Sequence, residues 1–249
     1  MNGRDCESED RPDYDTLYRL ARSRRSVRRF RTDPVSRDDI IRVLDLARLS
    51  PSAANSQPWE FVVVEDPAMR QKVARSAATL FAQGRRHDPS FNWSISVQPF
   101  LAQAPVLIVV LGDRRMIEAY PSLLRGNVLL RQSLAISVYG LQLAAASLGL
   151  ATAWGTLQGG RPEEEIRELL GVPAAFTIDH IVPLGYADEI EGARAAALGP
   201  ARSRARVRRP LDRIVHWGGY DAAKARSDDE ARDFIWSGTV TRVSREGHT

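Results

Sequence analysis

Cysteine is nearly absent: the 249-residue chain has one, Cys6, in a polar N-terminal stretch. One cysteine forms no internal disulfide and no Cys-based zinc site by itself. Nothing therefore calls for an oxidising compartment, and a cytoplasmic location is expected. The opening MNGRDCESEDRPDYD lacks the apolar core of a secretory signal. Charge of one sign is scarce too, since 35 basic residues face 31 acidic ones for a net charge of +4. No Lys/Arg block alternates with aromatics as a base-stacking platform would, so no nucleic-acid partner is expected. The basic residues gather in two short runs, which suits a small anionic ligand. No Gly-x-Gly-x-x-Gly follows a strand, which excludes a separate dinucleotide-binding domain of that kind.

Hydrophobic residues make up 43% and charged residues 27% of the chain, an ordinary globular balance. No internal repeat and no second apolar core are visible, so one domain is expected. Its boundaries fall at 13–217, with a disordered tail over 1–12 and a C-terminal extension or arm over 218–249. The span from Gln132 to Gly160 carries no charge and is long enough to cross a bilayer. Gln132, Ser133, Ser137, Gln142 and Ser147 interrupt it. A buried helix running into a strand accounts for it better, and no membrane partner is expected.

Asp13 or Asp15 caps a helix to about Arg24. Ser36 and Asp39 form a capping box before Ile40, Ile41, Val43, Leu44 and Ala47 at helical spacing, and this helix stops before Pro51. WEFVVVE, Trp59 to Glu65, reads as a strand. Pro67 opens a helix to about Gln83, and the stretch from Gly84 to Phe100 is irregular. PVLIVVLG, Pro105 to Gly112, implies a strand buried on both faces. A long helix follows from Tyr120 to Leu148, apolar nearly all round beyond Arg131, the pattern of a helix buried on all sides, often partly by another subunit, and Gly149 ends it. Ala151 to Gly155 is a short strand, Pro162 to Glu165 begins a helix, Phe176 to Leu184 is a strand, and Pro210 to Trp217 is a short helix.

Three segments carry chemistry. In Arg24-Arg25-Ser26-Val27-Arg28-Arg29-Phe30, guanidinium groups and a hydroxyl suit a phosphate. If the segment is extended, Arg24, Ser26 and Arg28 share a face and Val27 turns to the core. In Pro51-Ser52-Ala53-Ala54-Asn55-Ser56-Gln57-Pro58-Trp59, small residues let backbone approach a flat ring, and Ser52, Asn55 and Gln57 offer donors and acceptors. Arg206-Val207-Arg208-Arg209-Pro210 repeats the basic pattern. The plain alternatives are a solvated basic surface for the two runs and an ordinary turn for the loop. His87, His180 and His216 are scattered and read as structural or surface residues. The span from Arg85 to Phe100, with His87, Phe91 and Trp93, is a candidate substrate lid, and Arg125 and Trp154 are weaker candidates for a pocket wall.

RRSVRRF, PSAANSQPW with its FVVV strand, an apolar helix ending in LGLATAWG, a late VPLGY strand and RVRRPL stand in an order that resembles the nitroreductase family, over about Tyr14 to Trp217. The resemblance implies an α+β fold, with a mixed, mainly antiparallel sheet flanked by helices, and a homodimer with FMN at the subunit interface. It places Arg24, Arg25, Ser26 and Arg28 at the FMN phosphate, ribityl chain or N1–O2 edge, and Arg206 and Arg208 near the phosphate. Pro51, Ser52, Ala53, Asn55 and Gln57 fall on the loop against the flavin ring, which the other subunit donates. Thr156 and Leu157 fall where the family offers a backbone N–H to flavin N5. The implied reaction takes hydride from NADH or NADPH and passes it to a small electron-poor acceptor such as a nitroaromatic or quinone by a ping-pong scheme. No acid–base residue is assigned.

The chain departs from the family at Tyr139-Gly140, Gly149-Leu150-Ala151 and Thr156-Leu157. Many members have Gln-Asn at the first of these, Gly-Leu-Gly at the second, and some have Glu-Gly at the third. These changes leave the substrate open. A dehydrogenase or oxidase that tailors a small molecule and a non-catalytic FMN-binding protein stand as alternatives. The lid residues of dehalogenating members are not matched.

Overall fold

The computed structural model of the chain describes residues 13–87, 97–119, 126–157, 159–189 and 208–231. Helix α1 (Tyr14–Ser23) starts where the Asp13 carboxylate accepts the N–H groups of Asp15 and Thr16. Helix α2 (Arg37–Arg48) starts at Ser36, whose Oγ accepts the Asp39 N–H at 3.1 Å and donates to the Asp39 carboxylate at 2.8 Å. Both caps satisfy N–H groups that a helix start leaves without partners. Then follow β1 (Trp59–Val64), α3 (Pro67–His87), α4 (Val97–Gln103) and β2 (Val106–Asp113). After them come α5 (Arg115–Ala119), α6 (Gly126–Ser147), β3 (Ala151–Thr152), β4 (Gly155–Thr156), α7 (Arg161–Leu170) and β5 (Phe176–Gly185).

The strands form one sheet in the order β1-β2-β5-β3, with β4 also paired to β5, and every named pair is antiparallel. Among the described residues the parallel element is one bridge, Ser26 to Thr152. The apolar run of β2 is explained by its period of two. Leu107, Val109 and Leu111 enter one apolar cluster with Val73 and Ile166, residues of α3 and α7. Ile108 and Val110 enter a second with Val43 of α2 and Leu134 of α6. Helices thus cover both faces, and the sheet divides the expected single core into two.

Several expected elements are redrawn. The long helix begins at Gly126, and 120–125 lie outside the described residues. It is long and apolar enough by length and composition to cross a membrane, but Leu130, Leu134, Val138 and Leu141 pack into the second cluster. It is not covered all round: Val128, Ile136 and Tyr139 form a stripe at least 43% exposed. The short strand splits in two around Ala153-Trp154. Part of the irregular stretch is helical, since α3 runs on through Gly84 to His87 and α4 opens at Val97; 88–96 lie outside the described residues. Pro210 to Trp217 yields only a tight turn at Leu211–Arg213. Leu211 and Trp217 are 72% and 88% exposed, and a short helix whose apolar residues stay unburied does not hold.

Candidate active site

The segment after α1 is extended, as Ser26 bridges Thr152 and the Val27 N–H donates to the Thr152 carbonyl at 2.8 Å. Val27 is buried while Ser26 and Arg28 are exposed, so the expected alternation holds. Arg29 leaves the group, pairing with Asp188 at 3.0 Å. Arg24 is half-buried, and its Nε is buried without a hydrogen-bond partner. Burial pushes its guanidinium down from the ordinary range, Tyr139 of α6 opposes this, and the charge of Arg208 adds to it. Two cations near one another, one with a buried donor unspent, are the electrostatic signature of a place for an anion. The fold therefore brings Arg208 to Arg24 across most of the chain. Arg206 and Arg125 lie outside the described residues.

The second segment is a tight turn at Ala53–Asn55 between α2 and β1. Ala54, Asn55 and Gln57 have φ of 52°, 51° and 43°. Three non-glycine residues in the left-handed region cost of order 1–3 kcal/mol each, and such strain gathers at functional sites. The turn is held from within and from below. Ser52 Oγ accepts the Gln57 N–H at 2.9 Å, and the Gln57 amide donates to Asn55 Oδ1 at 3.3 Å. The Ala53 N–H donates to Ser133 Oγ of α6 at 3.2 Å, and the Ser133 hydroxyl donates to the Leu129 carbonyl at 2.8 Å. Ser133 is a buried hydroxyl inside an apolar helix, a signal present in the sequence but not assigned to the site. Pro51, Ala54, Asn55 and Gln57 are exposed, and Ser56 Oγ is buried without a partner.

The third part is the sheet edge at β4. Thr156 stands opposite His180, and the Leu157 N–H donates to the Asp179 carbonyl at 2.9 Å. Leu157 is also buried in the first apolar cluster. Because alternate N–H groups of an antiparallel strand point away from its partner, Thr156, not Leu157, presents its backbone donor at this edge. Beside it, the Trp154 indole N–H donates to His180 Nδ1 at 3.1 Å. His180 was not expected to contribute.

The arginine segment lies beside Tyr139, and the turn lies against Ser133 and, through Ser50 Oγ, the Ile136 carbonyl at 3.4 Å. Helix α6 is thus the common spine. A family model described as the nitroreductase family matches residues 21–186. The chain belongs to the nitroreductase family. It is similar to an iodotyrosine deiodinase of Thermotoga neapolitana, 30% identical over 183 residues that cover 70% of this chain and 89% of that protein. It is also similar to an NADH dehydrogenase of Thermus thermophilus, 28% identical with 79% and 93% covered. A solved structure of iodotyrosine deiodinase bound to FMN and 3-iodo-L-tyrosine matches with a TM-score of 0.54 and 29% identity, covering 70% of this chain and 90% of that one. This nitroreductase-family chain is an oxidoreductase with the family's antiparallel sheet and flanking helices. The names of its relatives differ in reaction, so the family alone does not fix the substrate.

Proposed function

We propose that this protein binds FMN and moves electrons from NADH or NADPH to a small electron-poor acceptor, such as a nitroaromatic or quinone, by a ping-pong scheme. The observation that carries the reading is the half-buried Arg24 beside Arg208, with a donor left for an anion. The two residues stand at the positions where the resemblance puts the FMN phosphate. Bound FMN would supply hydride acceptance and donation at its N5.

Arg24, Arg25, Ser26, Arg28, Arg206 and Arg208 would hold the phosphate, the ribityl chain and the N1–O2 edge. Positive charge there favours the more anionic form of the ring. The turn carrying Pro51, Ser52, Ala53, Asn55 and Gln57 would meet the ring, its backbone already fixed in shape by positive φ at Ala54, Asn55 and Gln57. Thr156 offers N5 a backbone N–H, fixed by β4 pairing before any ligand arrives.

The assembly in this reading is a homodimer. Val128, Ile136 and Tyr139 of α6 are exposed, and so are Leu17 and Tyr18 of α1 and Ile41, Leu46 and Leu49 of α2, the two helices that pack against α6. An apolar surface of that extent is a contact surface by default, and a second copy covering it would bring one subunit's turn to the other's arginines. Residues 218–249 remain a C-terminal extension or arm in this reading. The place of action is the cytoplasm.

A second reading, reductive removal of halide from a halogenated aromatic, is supported by similarity to the deiodinases. The test is the visible spectrum of the purified protein under anaerobic conditions, before and after NADPH and then NADH. A flavin band that bleaches with either donor supports the reductase, and a nitroaromatic, a quinone and a halotyrosine then compete as reoxidants. A flavin that stays oxidised with both donors removes the NAD(P)H-linked reading.

A further inference from the structure

His180 occupies a costly place. It lies in β5, opposite Val110, where the β2–β5 register shifts between Val110 and Leu111 and leaves Asp179 without a partner in β2. A valine there would pack without any polar demand. Instead an imidazole is buried, its Nδ1 accepts the Trp154 indole N–H at 3.1 Å, and its Nε2 is buried without a partner. The two rings meet edge to face, centroids 5.2 Å apart at 85°. An indole N–H is a donor only, so Nδ1 must carry no proton and the imidazole is neutral with its proton on Nε2. Trp154 is 37% exposed, so its tethered ring forms part of an open surface. It immediately precedes Gly155-Thr156, the edge that faces His180 across the sheet.

We propose that His180 is a positioning residue, a neutral imidazole that locks the Trp154 indole and the adjoining Thr156 edge into the wall met by an acceptor. The wall's role rests on the flavin reading above; the tether does not. Protonation would place a second donor opposite the indole N–H and release the ring. The charged groups around His180 are Asp179 on its own strand and Arg131 on α6, which pair at 3.5 Å. Asp179 also accepts from the Thr177 hydroxyl. The facing residues of the neighbouring strands, Val110 and Thr156, carry no charge. Burial holds the imidazole below its ordinary range, Asp179 pulls it up and Arg131 pushes it down.

The test uses FMN-loaded protein carrying fluorotryptophan, with the Trp154 resonance identified by its loss in Trp154→Phe. His180→Asn keeps an oxygen acceptor near the Nδ1 position but does not titrate; His180→Leu keeps neither property. From about pH 8 down to about pH 5, the fluorine resonance of Trp154 should move in the wild type and stay fixed in His180→Asn. The acceptor KM should rise several-fold in His180→Leu with kcat nearly unchanged, and return toward wild type in His180→Asn. In the wild type it should rise as pH falls. Equal KM changes in the Asn and Leu variants, or a Trp154 resonance that titrates alike in wild type and His180→Asn, would overturn the proposal. Should the Leu variant not fold, the pH titration of wild type against His180→Asn decides the matter. Absence of bound FMN would sink the flavin reading and the wall's role with it, while the fluorine titration would still decide the tether.

Discussion

Strand β2 and the turn before β1 sit close in the fold and are built to opposite rules. In β2, Leu107, Ile108, Val109 and Val110 are fully buried, and its residues pair with both neighbours in continuous antiparallel register, apart from one bulge. In the turn, Ala54, Asn55 and Gln57 are held at positive φ, and Ser56 Oγ is buried with no partner. The strand spends its interactions on stability. The turn and the Arg24–Arg208 pair keep unfavourable features, which persist because the surrounding structure enforces them. That contrast separates residues that hold the fold from residues that wait for a ligand, and it makes the two groups respond oppositely to mutation.

The largest effect is expected in the strand. Leu107→Ala removes a fully buried side chain and should cost about 2–5 kcal/mol in denaturant unfolding, with residual folded protein still binding flavin. Gly185→Ala should cost about 1–3 kcal/mol, because a Cβ there would lie 2.5 Å from Pro105 Cδ and 3.3 Å from the Phe30 ring. Ala54→Gly tests the other side of the contrast. Relief of the left-handed conformation is set against the entropy of glycine, and a net gain of about 0.5 kcal/mol is expected, together with weaker FMN binding from a looser turn. A loss of stability there would show that the turn carries no relievable strain.

The smallest effect is that of pH on His180. Its folded pKa lies below the ordinary 6.5 because burial outweighs Asp179. The unfolded chain therefore binds a proton more readily, and this contribution to stability is whole above about pH 6.5 and declines as pH falls toward the folded value. The melting temperature of wild type relative to His180→Asn should be level above about pH 6.5 and fall below it.

The legible parts of the fold were those fixed by local chemistry. The caps at Asp13 and Ser36, the stop at Gly149 and the doubly buried β2 follow from residues a few places apart. So does the alternation that turns Val27 inward between Ser26 and Arg28. The features that were not legible depend on contacts between distant segments. The turn at Ala54, Asn55 and Gln57 has positive φ and is tied to Ser133, far along the chain, through the Ala53 N–H. His180 looked like an isolated histidine because its partner Trp154 reaches it only through β4–β5 pairing. Thr156 and Leu157 are indistinguishable as donors in the sequence, because the direction of each N–H is set by the β4–β5 register.

In the proposed function the Arg24–Arg208 pair receives the phosphate of FMN. The direct test titrates flavin-free protein, as wild type and Arg24→Ala, with FMN and with riboflavin, which lacks the phosphate. A charge-assisted contact of about 1.5–3 kcal/mol corresponds to roughly ten- to a hundredfold in affinity. Wild type should prefer FMN by at least that margin, and Arg24→Ala should lose most of the preference while unfolding at the same denaturant concentration or higher. Equal affinity of the wild type for FMN and riboflavin, or a preference untouched by the substitution, would contradict the claim.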